Sequence, residues 1–237
     1  QQRVLPPSLK HTLFSLLIIG VPAFLIGIEP DLGTSILVIG AGVSVLLLAG
    51  LSWRWIFGAL TLVAAAAPLI WQFVLKDYQQ QRILTLFDPQ SDPLGAGWNI
   101  IQSTTAIGSG GVFGKGLYQG SQSYLDFLPE ARTDFIVAVV GEELGFVGIA
   151  FLLTLYLLII ARGLFLASQA GSTFGRLVAG ALVLTFFIYL FVNIAMVSGI
   201  LPVVGVPLPL VSYGGTSAIT LMAGFGIIMS MRTHKAW

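Results

Sequence analysis

Long apolar stretches constrain this sequence more than any other feature. A helix of about 20 apolar residues spans the roughly 30 Å hydrocarbon core of a bilayer. The chain is 56% hydrophobic and 9% charged, whereas a soluble domain is about 25% charged. The sequence therefore predicts an all-α polytopic integral membrane protein with about six transmembrane helices. The predicted spans cover residues 12–28, 34–51, 55–75, 135–161, 177–201 and 216–231.

The same composition excludes several other classes of protein. A net charge of +1 provides no basic field for a nucleic acid. With no cysteine, the chain has neither disulfides nor thiol nucleophiles. His11 and His234 lie near opposite ends of the chain, which argues against a His-rich metal site.

The basic residues predict how the chain is oriented in the membrane. Seven of the 11 fall on the side of the N-terminal tail and four on the other side. The positive-inside rule then places both termini in the cytoplasm and the long loop 76–134 outside. All ten acidic residues lie on the outer side or in helices entered from it, so any chemistry is expected to face outward.

The long outer loop contains a glycine-rich run, GSGGVFGKG, over residues 108–116. Ser109 and Gly116 stand where a phosphate-binding P-loop needs Gly and Ser or Thr, so the nucleotide interpretation fails. Two interpretations remain. The run is either a flexible turn, or an anion site in which Gly110 and Gly111 let the backbone approach and Lys115 adds charge. Short helices are predicted on either side of the loop's Asp-Pro turn, over 75–87 and 98–107.

Acidic residues cluster at the start of the fourth span. Asp134 is either a helix cap, together with Thr133, or a partly desolvated carboxylate whose raised pKa suits a general base. Glu142 and Glu143 lie eight and nine residues further along an apolar helix, where ionisable groups are costly and usually functional. Glu142 could share a cavity with Asp134, or form an interhelical hydrogen bond or ion pair. Arg132 is either an anion-binding group or an interfacial anchor.

Two further segments are marked by their residue types. In residues 29–34, Pro30 ends one helix and Asp31 or Thr34 is expected to cap the next. Residues 198–216 hold three prolines and four glycines, which predicts a non-helical, re-entrant segment lining the site. Asn193, deep in the fifth span, is expected to donate a hydrogen bond between helices.

Taken together, five blocks resemble the SEDS peptidoglycan glycosyltransferases, and most closely their RodA-like elongation branch. The blocks are EPDLGTS, DPQSDPLGAGWNIIQS, AIGSGGVFGKG, FLPEARTDFIVAVVGEELG and GILPVVGVPLPLVSYGGTS. They follow the family's order along almost the whole chain. The family has ten transmembrane helices, so residues 1–237 are expected to be one partial SEDS-type domain that lacks the first four.

The resemblance implies a reaction and a site. The protein is expected to polymerise lipid II into β-1,4-linked glycan strands on the outer face of the bacterial cytoplasmic membrane during elongation. Asp134 matches the family's catalytic aspartate and is expected to act as general base. A divalent cation such as Mg²⁺ is the one cofactor considered, and no ligand set for it is legible. The expected substrate-binding residues are Lys115, Arg132, Arg82, Glu130, Glu142, Gly110 and Gly111.

The resemblance also implies partners, and it leaves two alternatives open. A class B penicillin-binding protein and the elongation machinery are the expected partners, and no nucleic acid is expected. The alternatives are a flippase for a lipid-linked precursor and a non-catalytic scaffold for the penicillin-binding protein. A flippase needs a polar path to the cytoplasmic side, whereas here the acids lie at or near the outer face, which favours the polymerase.

Overall fold

The computed structural model describes residues 7–29, 31–93, 95–124, 127–128 and 130–233, and these ranges contain helices and no strand. Pro30 and Pro129 lie outside the described residues. A 3₁₀ turn, Pro89–Ser91, separates two short helices of the outer loop. The helices are α1 (Leu9–Ile28), α2 (Leu32–Leu48), α3 (Trp53–Phe73), α4 (Asp77–Phe87), α5 (Ala96–Gly110), α6 (Ser121–Tyr124), α7 (Ile136–Ser168), α8 (Thr173–Val197) and α9 (Gly215–Thr233).

The membrane-protein prediction is confirmed. Within the described ranges, α1, α3, α7 and α8 are long and apolar enough to cross a bilayer, and Gly33–Leu48 of α2 is a shorter apolar helix. The sixth predicted span falls in α9, which has 19 residues. None of the residues of α3 is buried in the fold, although most are apolar, as expected of a surface in contact with lipid.

The fourth and fifth predicted spans differ most from the observed helices. The fourth span, predicted to end at residue 161, lies in α7, which continues to Ser168. The fifth, predicted over 177–201, lies in α8, which begins at Thr173 because the Ser172 side chain accepts a hydrogen bond from Gly175 N. That helix ends at Val197, and Gly199 follows with a φ of +69°.

Helix α8 lies at the centre of the bundle and packs against α2, α7 and α9. Tyr156 of α7, Phe186 of α8 and Phe225 of α9 form a chain of aromatic contacts, with ring centroids 5.7 and 5.5 Å apart. Small residues bring the helices close together: a Cβ on Gly163 would lie 2.6 Å from the side chain of Val183. This packing fixes α7 against α8, and the N-terminal end of α7 carries the acidic cluster.

The outer loop is folded. The helices predicted over 75–87 and 98–107 are present as α4 and α5, and α5 extends three residues further, to Gly110. The predicted cap of α2 is also confirmed, because the Asp31 carboxylate accepts hydrogen bonds from Thr34 N at 3.0 Å and Thr34 Oγ1 at 2.6 Å. Helix α5 packs along α7, which brings the glycine-rich run to the acidic cluster.

Candidate functional site

Helix α7 is broken at Gly145, where φ is +66° and ψ is −163°. Only glycine adopts these angles readily. In a continuous helix the N–H groups of Phe146 and Val147 would donate to the carbonyls of Glu142 and Glu143. Here all four groups bond to another part of the chain. This break was not predicted. The glycine at the end of the GEELG run, Gly145, is the sequence feature that indicates it.

The glycine-rich segment, residues 111–116, fills the break. It accepts hydrogen bonds from the two N–H groups of α7 and donates to the two carbonyls. The helical hydrogen bonds are therefore interrupted, yet each of these four backbone groups has a partner. The four bonds are Phe146 N to Gly111 O (2.9 Å), Val147 N to Val112 O (3.1 Å), Lys115 N to Glu142 O (3.0 Å) and Gly116 N to Glu143 O (3.0 Å).

Close packing explains two of the glycines, Gly110 at the end of α5 and Gly114 in this segment. A Cβ on Gly110 would lie 1.9 Å from Gly141 O, and one on Gly114 would lie 2.1 Å from Glu143 O. Gly110 is buried, and Gly111 gives its carbonyl to Phe146. The structure therefore gives Gly110 a packing role. Gly111 has nothing within 4 Å of an added Cβ, and its φ of +56° is what favours glycine there. The run is hydrogen-bonded to α7, and a substrate contact of the two glycines stays a prediction.

Glu142 is fully buried and binds the segment that follows the glycines. Its carboxylate accepts from Lys115 Nζ at 2.7 Å, Ser121 Oγ at 3.0 Å and Gln122 N at 3.1 Å. We call these four residues the Glu142 clamp. Glu142 thus forms an ion pair, although Lys115 lies in the outer loop and not on a neighbouring helix. The predicted substrate contact of Glu142 stays a prediction. Lys115 keeps 30% of its side chain exposed, and Glu143 is half-buried.

Asp134 lies just before α7, but it does not cap that helix, so this prediction is wrong. The N-cap position belongs to Phe135, and no side chain there accepts a hydrogen bond. The Phe135 ring is 1% exposed and anchors the start of α7 in the core. A tight turn precedes it, in which Thr133 N and Phe135 N both donate to Glu130 O. The Asp134 carboxylate is therefore not used as a cap.

The surroundings of Asp134 suit a general base. Burial raises the pKa of the Asp134 carboxyl above its ordinary value of 3.8, and the negative charge of Glu130 raises it further. Both effects disfavour the charged form. Glu130 is exposed and accepts a hydrogen bond from Thr133 Oγ1 at 2.7 Å. Glu130 is thus the charged neighbour that raises the pKa of Asp134.

The proline- and glycine-rich segment is non-helical over residues 202–208, as predicted, and it holds the Asp134 turn. Tyr213 N donates to Arg132 O at 2.9 Å, and Ser212 Oγ donates to Thr133 O. Gly205 has a φ of +71°, and a Cβ there would lie 3.6 Å from Asp134 Oδ2. This closeness of Gly205 and Asp134 was not foreseen.

Asn193 joins these pieces from α8. It is fully buried, and its Nδ2 donates to Asp134 O at 2.8 Å and to Val206 O at 2.7 Å. The prediction that Asn193 donates a hydrogen bond is confirmed, although its acceptors are loop carbonyls and not a neighbouring helix. Its place next to Asp134 depends on the tertiary fold.

A cavity of about 400 Å³ opens beside Gly205, between α2, α8 and α9. Part of the cavity wall is apolar and includes Phe225 and Ile228 from α9. Hydroxyl-bearing residues are spread along it, and they are Thr34, Thr185, Tyr189, Thr216, Ser217 and Thr220. Gly205 lines the cavity and also lies close to the Asp134 carboxylate, so the cavity and the carboxylate are neighbours across Gly205.

The remaining predicted residues are cations. Arg132 is exposed beside Asp134, and Arg82 lies half-buried on α4. Neither side chain forms an ion pair or hydrogen bond with another described residue. Among the described residues, no group of three or more His, Cys, Asp or Glu converges as a metal site. Arg132, two residues before Asp134 in sequence, is therefore an exposed cation that pairs with no other described residue.

Comparison with protein families and curated relatives gives a consistent result. The profile of the FtsW/RodA/SpoVE family of cell cycle proteins matches residues 1–236. Peptidoglycan glycosyltransferase MrdB of Escherichia coli K12 is 62% identical over 232 residues, covering 98% of this chain and 63% of the relative. Peptidoglycan glycosyltransferase RodA of Treponema pallidum is 43% identical over 183 residues, 76% of this chain and 42% of the relative.

Two solved structures have the same fold. A chain of a peptidoglycan synthase complex that coordinates polymerization and crosslinking matches with a TM-score of 0.74 and 31% identity, over 94% of this chain and 60% of that one. An aspartate-to-alanine mutant of the rod shape determining protein RodA of Thermus thermophilus matches with a TM-score of 0.64 and 25% identity, over 98% and 59%. The chain thus spans about three fifths of the length of the E. coli relative and of both solved chains.

Proposed function

This chain belongs to the FtsW/RodA/SpoVE family of cell cycle proteins, and on that premise we propose that it carries the catalytic site of a RodA-like peptidoglycan glycosyltransferase. The proposed reaction joins lipid II units into β-1,4-linked glycan strands during cell elongation. The observation that carries the proposal is a half-buried carboxylate, Asp134, with a raised pKa and close to Gly205, which lines a cavity.

Asp134 is the proposed general base. Its carboxylate removes the proton from the acceptor sugar hydroxyl as that oxygen attacks the anomeric carbon of the donor. The new glycosidic bond forms while the bond from that carbon to the diphosphate breaks, and the polyprenyl diphosphate leaves with the electron pair. A raised pKa brings the base closer to the operating pH, where proton transfer is most effective.

The leaving diphosphate needs positive charge, and we assign that role to Arg132. Its side chain is exposed two residues before Asp134 in sequence, and a guanidinium can bind phosphate oxygens through two parallel hydrogen bonds. Arg82 remains a proposed outer contact of the same group. The ammonium of Lys115 is already bonded to Glu142 and Ser121, so we assign it no diphosphate oxygen.

A divalent cation such as Mg²⁺ would stabilise the same leaving group when bound. The described acids do not form a ligand set for it, so no step of the proposed mechanism passes through a cation. Comparing activity in EDTA with activity after Mg²⁺ is restored measures whether one contributes.

The proposed setting is the bacterial cytoplasmic membrane, with both ends of this chain in the cytoplasm and the Asp134 site outside. The proposed partner is a class B penicillin-binding protein that crosslinks the new strand, together with the elongation machinery. Similarity to a chain of a synthase complex that couples polymerization to crosslinking supports this choice.

The test is lipid II polymerisation by the purified membrane complex carrying Asp134→Asn. We expect glycan chains to disappear while the complex still assembles, because Asn has the same shape but cannot accept the proton. The Asp88→Asn variant, altered at an exposed acid of the outer loop, should polymerise normally. Persistent polymerisation by Asp134→Asn would overturn the assignment and favour transport or scaffolding.

Thermal unfolding measured at two pH values tests whether the Asp134→Asn variant is folded. A carboxyl whose pKa is raised by folding destabilises the folded state once the pH exceeds its unfolded pKa, and it has no such effect below that value. The variant should therefore unfold at the same temperature as the wild type in acid, and at an equal or higher temperature at neutral pH.

A further inference from the structure

We propose that the Glu142 clamp is a positioning device for Asp134, in which the buried Glu142–Lys115 pair holds the outer segment that packs through Leu128 beside Phe135, the neighbour of the base. This inference rests on the proposed function, because it assigns the pair a role in the reaction of Asp134. Neither residue contacts the reacting atoms in this proposal. Both act through the chain between them, which contains Asp134 itself.

The clamp closes a ring in the fold. Lys115 and Glu142 are 27 residues apart in sequence, and Asp134 lies between them. Their contact is double, because Lys115 Nζ binds the Glu142 carboxylate at 2.7 Å and Lys115 N binds Glu142 O at 3.0 Å. The Lys115 end of the ring therefore cannot shift along α7 without breaking both bonds.

A short series of contacts leads from the clamp toward Asp134. Gln122 N donates to the Glu142 carboxylate, and Gln122 O accepts from Phe127 N at 3.2 Å. Phe127 O accepts from Trp98 Nε1 at 2.7 Å. The next residue, Leu128, is 3% exposed and belongs to the same buried cluster as Phe135. The outer segment is thus tied to Glu142 at Gln122 and packs against the cluster of Phe135 at Leu128.

The charges make this connection sensitive to substitution. A buried carboxylate is tolerated only when it is paired and hydrogen-bonded. Lys115 is the one cation that pairs with Glu142 among the described residues. Removing Lys115 leaves an uncompensated buried charge. Glu142→Gln removes the charge of the pair and replaces one of the two oxygens that accept from Gln122 N with an NH2 donor. Either change should loosen the segment and let water reach Asp134.

Entry of water gives the proposal a distinctive signature. Desolvation is the main cause of the raised pKa of Asp134, and Glu130 is the charged neighbour that adds to it. Loosening should therefore lower that pKa in both Lys115→Met and Glu142→Gln. A direct effect of charge on Asp134 would move the pKa in opposite directions, because one variant removes a positive charge and the other a negative one.

The kinetic experiment measures kcat, KM and the acid limb of the pH profile for both single variants in membranes of the native host. We expect kcat to fall roughly tenfold to a hundredfold, as for small misplacements of a catalytic group. KM should stay unchanged, and the acid limb of the pH profile should move to lower pH in both single variants. The double variant should lose less than the product of the two single losses. Ser121→Ala keeps the ion pair and provides a milder variant should the others fail to fold. Glu143→Gln is the matched control and should behave as wild type.

A second measurement does not depend on activity. The chain has no cysteine, so Leu128→Cys provides a single site for a polar maleimide. Labelling should be slow with the clamp intact and faster by at least a few-fold when Glu142→Gln is added. Labelling that stays slow overturns the proposal, and so do acid limbs that move in opposite directions or not at all. A raised KM with unchanged kcat for Lys115→Met also overturns the proposal, because it would indicate that Lys115 binds the diphosphate of the substrate. If Asp134→Asn remains active, the proposed function fails, yet labelling still reports on the clamp.

Discussion

The side-chain amide of Asn193 donates to the backbone oxygen of Asp134 at 2.8 Å, although the two residues are 59 positions apart. The same nitrogen reaches Val206 O at 2.7 Å. One buried amide thus joins the turn that carries the proposed base to the loop that lines the cavity. Both acceptors are backbone oxygens. The bonds therefore fix the position of the Asp134 backbone and do not involve its side-chain carboxylate.

Replacing Asn193 by Leu should therefore lower both stability and activity. Two buried carbonyls would lose their donor, and an unsatisfied buried group costs about 1–3 kcal/mol. We expect a loss of about 2 kcal/mol in unfolding free energy and a drop in kcat of roughly tenfold or more, because the base is displaced. Thermal unfolding and lipid II polymerisation measure the two effects.

Ser103→Ala provides the control for lost buried hydrogen bonding. Ser103 is fully buried, and its hydroxyl donates to Val197 O at 3.0 Å, away from Asp134. The Ser103→Ala substitution should lower the unfolding temperature and leave the kcat of the folded protein unchanged. If both variants lose activity in proportion to stability, Asn193 has no special role in placing Asp134.

The sequence predicted most of the helices because hydrophobic periodicity and composition are local signals. It also identified Asp134 and Glu142 as chemically unusual, since acids are costly in an apolar context. It did not predict that Lys115 pairs with Glu142, or that Asn193 lies against Asp134. These contacts join residues 27 and 59 positions apart, and only the packing of α5 and α8 on α7 brings them together.

Glu130→Gln should move the acid limb of the activity profile to lower pH. The Glu130 carboxylate raises the pKa of Asp134, so removing its charge lowers that pKa toward the ordinary value. More of the base is then ionised at a given acidic pH, and activity there rises relative to wild type. At a pH well above both pKa values, the rates should be equal.

The pH dependence of kcat under saturating lipid II measures this shift. Asp92→Asn alters another acid of the outer loop, one whose carboxylate accepts from Ala96 N, and it should leave the acid limb in place. A shift of the limb to higher pH in Glu130→Gln would contradict the proposed repulsion.

Gly145→Ala should disrupt the break in α7. The new Cβ would lie 2.3 Å from Gly114 N and 2.6 Å from Val112 O, both backbone atoms that cannot move aside. The positive φ of +66° adds about 1–3 kcal/mol of strain. We expect little folded protein, or a clearly lower unfolding temperature.

Gly58→Ala is the matched control for this substitution. Gly58 lies in α3, with nothing within 4 Å of the added methyl group, and alanine favours a helix by about 1 kcal/mol. It should be neutral or slightly stabilising. Normal stability of Gly145→Ala would mean that the glycine segment does not occupy the break.

Gly205→Ala tests the contact between the cavity and the base. The added methyl group would lie 3.6 Å from Asp134 Oδ2, where it excludes water from the carboxylate. Less solvation disfavours the charged form, so the pKa of Asp134 rises further and the acid limb moves to higher pH. Activity should fall most at acidic pH and recover as the pH increases, which is the opposite of the change expected for Glu130→Gln.

Backbone strain must be separated from this effect, because Gly205 has a φ of +71°. Gly199 has a φ of +69° in the same segment, and a Cβ there faces Ile100 and Thr104 instead of Asp134. Gly199→Ala should therefore lower the unfolding temperature by a similar amount and leave the pH profile unchanged. Adding Glu130→Gln to Gly205→Ala should move the limb back toward lower pH, because the two changes act oppositely on one carboxyl. An identical acid limb in Gly205→Ala and Gly199→Ala would show that the cavity mouth and the Asp134 carboxylate are not in contact during the reaction.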